Sequence, residues 1–271
     1  MPDYDRSIEE ERSRRHEAEE LLAAVVKSRF VRPVEWLHRL TGRGPNLAAA
    51  RTFLAESPVT ERDRYQSLAD EFHRLYYDSR ESTWQNTRWM GNDVLKLPLD
   101  LWLYQEYLYE LKPDVIVECG TFMGGSALFM AHMLDIIGHG EIVSIDLTDR
   151  EGRPEHPRIT YISGSSTDPA IVAGVKERIE GKKSLVILDS DHSEAHVYAE
   201  LQVYAPLVSV GSLLIVEDTN INGHPVYPEF GPGPMEALDR FLAENDDFVH
   251  DPQAHKFLVT FNPRGVLRRR R

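Results

Sequence analysis

The chain of 271 residues is long enough for one well-buried α/β domain with an appendage, and too short for two domains of ordinary size. Its 31 basic against 44 acidic side chains give a net charge of −13, which excludes a general nucleic-acid binder, although Arg268 to Arg271 form a short basic tail. With 41% apolar residues and a single cysteine, Cys119, bulk disorder, a disulfide scaffold and a cysteine-rich zinc module are excluded as well.

The opening segment MPDYDRSIEEERSRR interleaves acids and has no apolar core, unlike a secretory signal. No stretch approaches the roughly eighteen uncharged apolar residues of a membrane span, so a soluble cytoplasmic protein without a membrane partner is expected. Residues 1–80 read as a helical extension, serving as an oligomer contact or a lid, and a homo-oligomer is the expected state. Within it a helix is expected over 7–29, Pro33 interrupts, and TGRGP (41–45) is a loop. Tyr65, Leu68, Phe72, Leu75 and Tyr76 recur at helical spacing and predict a helix from Glu61 to Tyr77.

Residues 81–271 form the second unit, in which helices and strands alternate. LDLWLYQEYLYEL (99–111) predicts a helix with Pro98 near its start, VIVECG (115–120) a strand ending in a glycine turn, and GSALFMAHMLDIIG (125–138) a helix. Strands are expected at 141–147 and 158–164, then a helix over 168–181 with Asp168 at its cap. SLVILDSD (184–191) predicts a strand, 194–208 a helix, GSLLIVEDT (211–219) a strand and Met235–Asn245 a helix. FVHD (248–251) with HKFLVTFN (255–262) closes as a hairpin. Continuous apolar strands between amphipathic helices predict an α/β fold, a doubly wound parallel sheet with one antiparallel member. Ligands of such sheets bind outside the carboxyl ends of the strands.

Those ends carry the chemistry. After the first strand stands Glu118-Cys-Gly120-Thr-Phe-Met-Gly124-Gly125-Ser126, a glycine turn opening a helix whose free amides can face a ligand. Its spacing is not that of a dinucleotide-binding loop, and without a ligand it reads simply as a tight turn. Asp146 ends the second strand, where a carboxylate can accept both hydroxyls of a ribose. Together they favour a nucleoside lacking a diphosphate. Ser165 and Ser166 come after the third strand, at an adenine edge or in a local turn of their own. The fourth strand ends in Asp189-Ser-Asp191-His192 and the fifth in Glu217-Asp218. Parallel neighbours lie about 4.8 Å apart, so these acids converge, and clustered carboxylates are driven to protonate unless a cation holds them. Oxygen ligands suit Mg²⁺, Mn²⁺ or Ca²⁺ rather than zinc. His192 is placed either to take a proton from a hydroxyl acidified by that metal or to orient Asp189 or Asp191. Two stretches, residues 82–91 with Trp84 and Trp89 and the Pro/Gly-rich 222–234, are long loops over the strand ends, shaping a substrate site or packing as a rim.

The segments TWQNTRWMG, LPLDLWLYQE, VIVECGTFMGGSALFMA, LDSDHSEAHVYAEL, PLVSVGSLLIVEDT and GPGPMEALDRFL resemble the cephalosporin hydroxylase-like family. These are class I S-adenosylmethionine-dependent methyltransferases that include rhamnosyl O-methyltransferases, and the likeness covers about residues 80–262. It implies a seven-stranded Rossmann-like sheet and S-adenosylmethionine at Glu118, Gly120, Thr121, Ser126, Asp146 and Asp189, with adenine near Ser165 and Ser166. It also implies Mg²⁺ or Mn²⁺ held by Asp189 or Asp191 together with Glu217 and Asp218. His192 as the base with Asp189 beside it, and a sugar hydroxyl of a small natural product as acceptor, are implied by the same resemblance. Glu217-Asp218 stands where related catechol-type enzymes carry an Asp-Asn pair, which puts extra negative charge on the metal. A hydroxylase or oxidoreductase of antibiotic tailoring is one alternative, disfavoured because no dinucleotide fingerprint and no two-His iron triad are present. A non-catalytic S-adenosylmethionine-binding partner is the other, and it has no need of the carboxylate cluster.

Overall fold

Three neighbouring strands made largely of Val, Ile and Leu, at residues 115–119, 184–188 and 213–216, sit inside the sheet, and every one of their side chains is out of solvent. The computed structural model describes residues 61–79 and 81–271, so the expectations for residues 1–60 lie outside it. In chain order the described elements begin with helix α1 (Glu61–Asp78), the two-residue strands β1 (Arg88–Trp89) and β2 (Asn92–Asp93), and helix α2 (Pro98–Leu111). The alternating part comprises β3 (Val115–Cys119), α3 (Gly125–Ile137), β4 (Glu141–Asp146), β5 (Ile159–Ser163), α4 (Pro169–Ile179), β6 (Ser184–Leu188), α5 (Glu194–Tyr204) and β7 (Leu213–Val216). Helix α6 (Pro234–Glu244), β8 (Phe248–His250) and β9 (Val266–Arg269) complete the chain. No helix among the described residues is long and apolar enough to cross a membrane.

The sheet order is β5-β4-β3-β6-β7-β9-β8, with β9 antiparallel to both neighbours and the remaining pairings parallel. Successive side chains of a strand point to opposite faces, so a strand apolar at every position needs cover on both. Val115 and Val117 of β3 join Val143, Val186 and Leu214 under α4, α5 and α6. Ile116, Ile142, Leu185 and Ile215 pack on the other face under α2 and α3. Helix starts obey local chemistry: Asp168 accepts hydrogen bonds from the amides of Ala170 and Ile171, and prolines open α2, α4 and α6.

One expected element is overturned. The hairpin of 248–251 with 255–262 does not form: β8 pairs instead with β9, Phe248 opposite Arg269 and His250 opposite Leu267. Residues 257–262 carry an apolar alternation that imitates a strand, but the Asp251 carboxylate winds the chain into a 3₁₀ turn by accepting from the Gln253 amide. Beyond that turn the chain is a loop whose Phe261 and Asn262 are buried against the end of β7. The first two residues of the basic tail, Arg268 and Arg269, are likewise part of the sheet. Arg268 pairs with Asp251 at 2.8 Å and Glu110 at 3.3 Å, and Arg269 donates to the carbonyls of Pro206 and Val208.

Candidate active site

Strand order reverses between β3 and β6, and the carboxyl ends of these two strands open a cavity of about 250 Å³. Gly120, Thr121, Ser126, Asp189, His192 and Asp218 line it. Gly120 has φ 99°, and a Cβ there would stand 1.7 Å from the Asp189 carbonyl oxygen, so the two strand ends touch through a position only glycine can fill. The glycine turn is thus tight because the chain packs on itself.

Asp189, His192 and Asp218 present one ligand atom each, all within 4.8 Å of one another. His192 Nε2 lies 3.3 Å from Asp189 Oδ1 and 3.3 Å from Asp218 Oδ2. Asp218 has a left-handed backbone, φ 52°, which Asp tolerates better than most residues. Its amide donates to the buried Asn262 Oδ1 at 2.9 Å, and the Thr219 hydroxyl donates to the Pro263 carbonyl. The loop whose sequence imitates a strand is what aims Asp218 into the cavity.

Lys96, on the segment entering α2, is the charge that sequence reasoning missed. Its Nζ donates to Asp189 Oδ2 and to Glu217 Oε1, each at 2.7 Å, and its side chain is 4% exposed. A lysine inside the apolar run VLKLP had one available signal, since a lysine is almost never fully buried without an acidic partner. Tyr104 of α2 donates its hydroxyl to the same Glu217 oxygen. Burial opposes the charge on Lys96, but Asp189 and Glu217 outweigh it and hold its pKa above the usual range. Burial lifts Asp189 and its cationic neighbours Lys96 and His192 overcome that, leaving it below the usual carboxylate range. Asp218 has less compensation: burial, only partly offset by His192, pushes it up to about 7. Burial lowers His192, yet the carboxylates of Asp189 and Asp218 raise it to about 9.

The remaining expected site residues fall into place differently. Glu217 is buried behind the cavity wall, engaged by Lys96 and Tyr104. Asp191 turns outward and accepts from the Ser193 amide at 2.8 Å, because it caps the approach to α5, and it does not join Asp189 and Asp218. Glu118 also stands behind the wall; it accepts from Ser126 and Ser144, each at 2.5 Å, and burial pushes it up to about 7. Asp146 accepts from the amides of Thr121, Phe122 and Thr148, and Arg153, a second residue missed, lies 3.2 Å from it. Ser166 donates to the buried Glu200 and Ser165 bonds Thr167, so neither faces the cavity. The loop tryptophans divide: Trp84 stacks on Tyr77 at 5.1 Å over the cavity, whereas Trp89 packs against Phe129 and donates to His132. Tyr227 and Phe230 of the 222–234 loop line the cavity as well.

Residues 81–270 match the Rhamnosyl O-methyltransferase/CmcI family. The chain belongs to this family. The Rhamnosyl O-methyltransferase of Mycobacterium leprae is 41% identical over 212 residues, 75% of this chain and 91% of that protein. Among solved structures, the apo structure of CmcI is 25% identical with a TM-score of 0.52, covering 69% of this chain and 77% of that one. A CmcI structure described as holding Mg and SAM has the same identity and TM-score over 68% of this chain and 77% of that one. The family's class of activity is O-methyl transfer, and the seven-stranded sheet with one antiparallel strand is the fold that class uses.

Proposed function

We propose that the protein transfers a methyl group from S-adenosylmethionine to a sugar hydroxyl, of rhamnosyl type, on a small glycosylated natural product. The observation that carries this reading is the convergence of Asp189, His192 and Asp218 on the wall of the strand-end cavity. The mycobacterial relatives named for rhamnosyl methylation and the CmcI structure with Mg and SAM support the choice of acceptor, donor and metal.

The donor fits the loop after β3. Gly120, Thr121 and Ser126 border the cavity, Glu118 fixes the Ser126 hydroxyl, and Asp146 fixes the amides of Thr121 and Phe122. A divalent cation fits the acids. With all three acids ionised and His192 neutral, Asp189, Glu217 and Asp218 set three negative charges against one positive charge on Lys96, a balance of −2 that a dication neutralises. Asp189 and Asp218 offer the oxygens facing the cavity, and oxygen ligands suit Mg²⁺ or Mn²⁺. Such a cation, when bound, lowers the pKa of an acceptor hydroxyl.

His192 takes the proton of that hydroxyl at Nε2, and Asp189 and Asp218 stabilise the imidazolium that forms. The hydroxyl oxygen attacks the methyl carbon, a C–O bond forms as the S–C bond breaks, and the neutral thioether leaves. Tyr77, Trp84, Tyr227 and Phe230 exclude water and offer aromatic faces to the C–H face of a sugar.

Methyl-labelled S-adenosylmethionine, incubated with a panel of rhamnosyl glycosides with and without chelator, tests this directly. A labelled methyl ether that disappears with chelator and returns with Mg²⁺ is expected. Transfer undiminished by chelator would remove the metal, and a hydroxylated product or no product with any glycoside would remove the assignment.

A further inference from the structure

Lys96 is held too firmly to be an incidental neighbour of the acids. Val94 and Leu97 on either side of it are buried, its side chain is 4% exposed, and both its carboxylate partners stand at 2.7 Å. It divides Asp189 in two: Oδ2 faces the ammonium, while Oδ1 faces His192 and the cavity. Without a cation nearby, Asp189, Glu217 and Asp218 repel one another, and part of the cluster protonates or moves apart. A fixed ammonium prevents that at Asp189 and Glu217 before any metal arrives. It also withholds charge from the metal, because a dication on the Asp189–Asp218 side shares a carboxylate with a positive charge on its far side.

We propose that Lys96 is a resident counter-cation, which keeps Asp189 and Glu217 assembled in the metal-free enzyme and weakens the divalent cation enough to keep it exchangeable. This rests on the metal site proposed above and assigns Lys96 as a positioning residue.

The test is Mn²⁺ binding to metal-free, full-length protein, followed by electron paramagnetic resonance and by thermal unfolding, with no acceptor needed. Lys96→Met is expected to bind Mn²⁺ at least tenfold more tightly than wild type. Its metal-free Tm is expected to fall, and saturating Mn²⁺ to restore most of the loss. Lys96→Gln keeps donors for both carboxylates while removing the charge, so it gives the same tightening where the Met variant does not fold. Affinity unchanged or weakened in the folded variant would overturn the proposal and leave Lys96 a packing residue. A wild-type protein with no saturable Mn²⁺ site would overturn the metal reading itself, and this assignment with it.

Discussion

Asp218 illustrates how much of the site depends on single residues from distant segments. Its carboxylate was legible, because acids ending two adjacent apolar strands must lie near each other. The left-handed turn that aims it was not, since it depends on Asn262, whose contact with the Asp218 amide spans 44 positions. Lys96 was hidden for the same reason, since its carboxylate partners lie 93 and 121 positions away, whereas Arg153 stands only seven positions from Asp146 but in a loop, where a lone basic residue carries no period. Glu217 was legible as an acid but not as one already engaged by a buried lysine and a phenol. Removing its phenolic donor with Tyr104→Phe leaves a buried carboxylate with one partner fewer. The expected cost is about 1–3 kcal/mol in denaturant unfolding, with the packing of the ring preserved. His192→Ala is expected to lower kcat by about 10²–10⁴-fold, the range for a lost general base, while the affinity for S-adenosylmethionine changes little. Near-normal kcat in that variant would show that His192 is not the base.

At the scale of elements, strands and helices whose apolar pattern agreed with their neighbours were readable within a few residues. Helix α1 was expected to end at Tyr77 and ends at Asp78. Helix α3 closes at Gly138, the residue expected to stop it. The failure came where pattern and context disagreed. FLVTF alternates like a strand, whereas the segment that completes the sheet is VLRR, whose charges look like a tail. Arginine can serve there because Arg268 and Arg269 spend their guanidinium groups on Asp251 and on helix-end carbonyls rather than on solvent. Leu267 is fully buried on β9, between β7 and β8, so Leu267→Ala is expected to cost about 2–5 kcal/mol, measured by chemical denaturation. A cost near zero would mean that β9 is not integral to the fold.

Across the whole molecule, two buried carboxyls outside the metal cluster set a pH dependence. Asp100 accepts from the Phe261 amide at 2.9 Å, and burial raises it from 3.8 to about 7. Glu118 is likewise raised by burial from 4.5 to about 7. Both bind protons more tightly folded than unfolded, so their contribution is fully present below the unfolded values and is lost as pH rises through about 7. Stability is expected to decline between about pH 4 and pH 7, and Asp100→Asn, which keeps an acceptor for Phe261, to flatten that decline. An unchanged slope in the variant would contradict the assignment.

The acidic excess that first excluded nucleic acid is concentrated, in functional terms, at Asp189, Asp218 and Glu217, with Lys96 as their counter-charge. Titration of metal-free protein with Mn²⁺, read by electron paramagnetic resonance, tests that arrangement most directly. A saturable site in the wild type, weakened at least tenfold by Asp218→Asn and within threefold of wild type in Asp191→Asn, is the expected result. No saturable site, or one indifferent to Asp218→Asn, would contradict it.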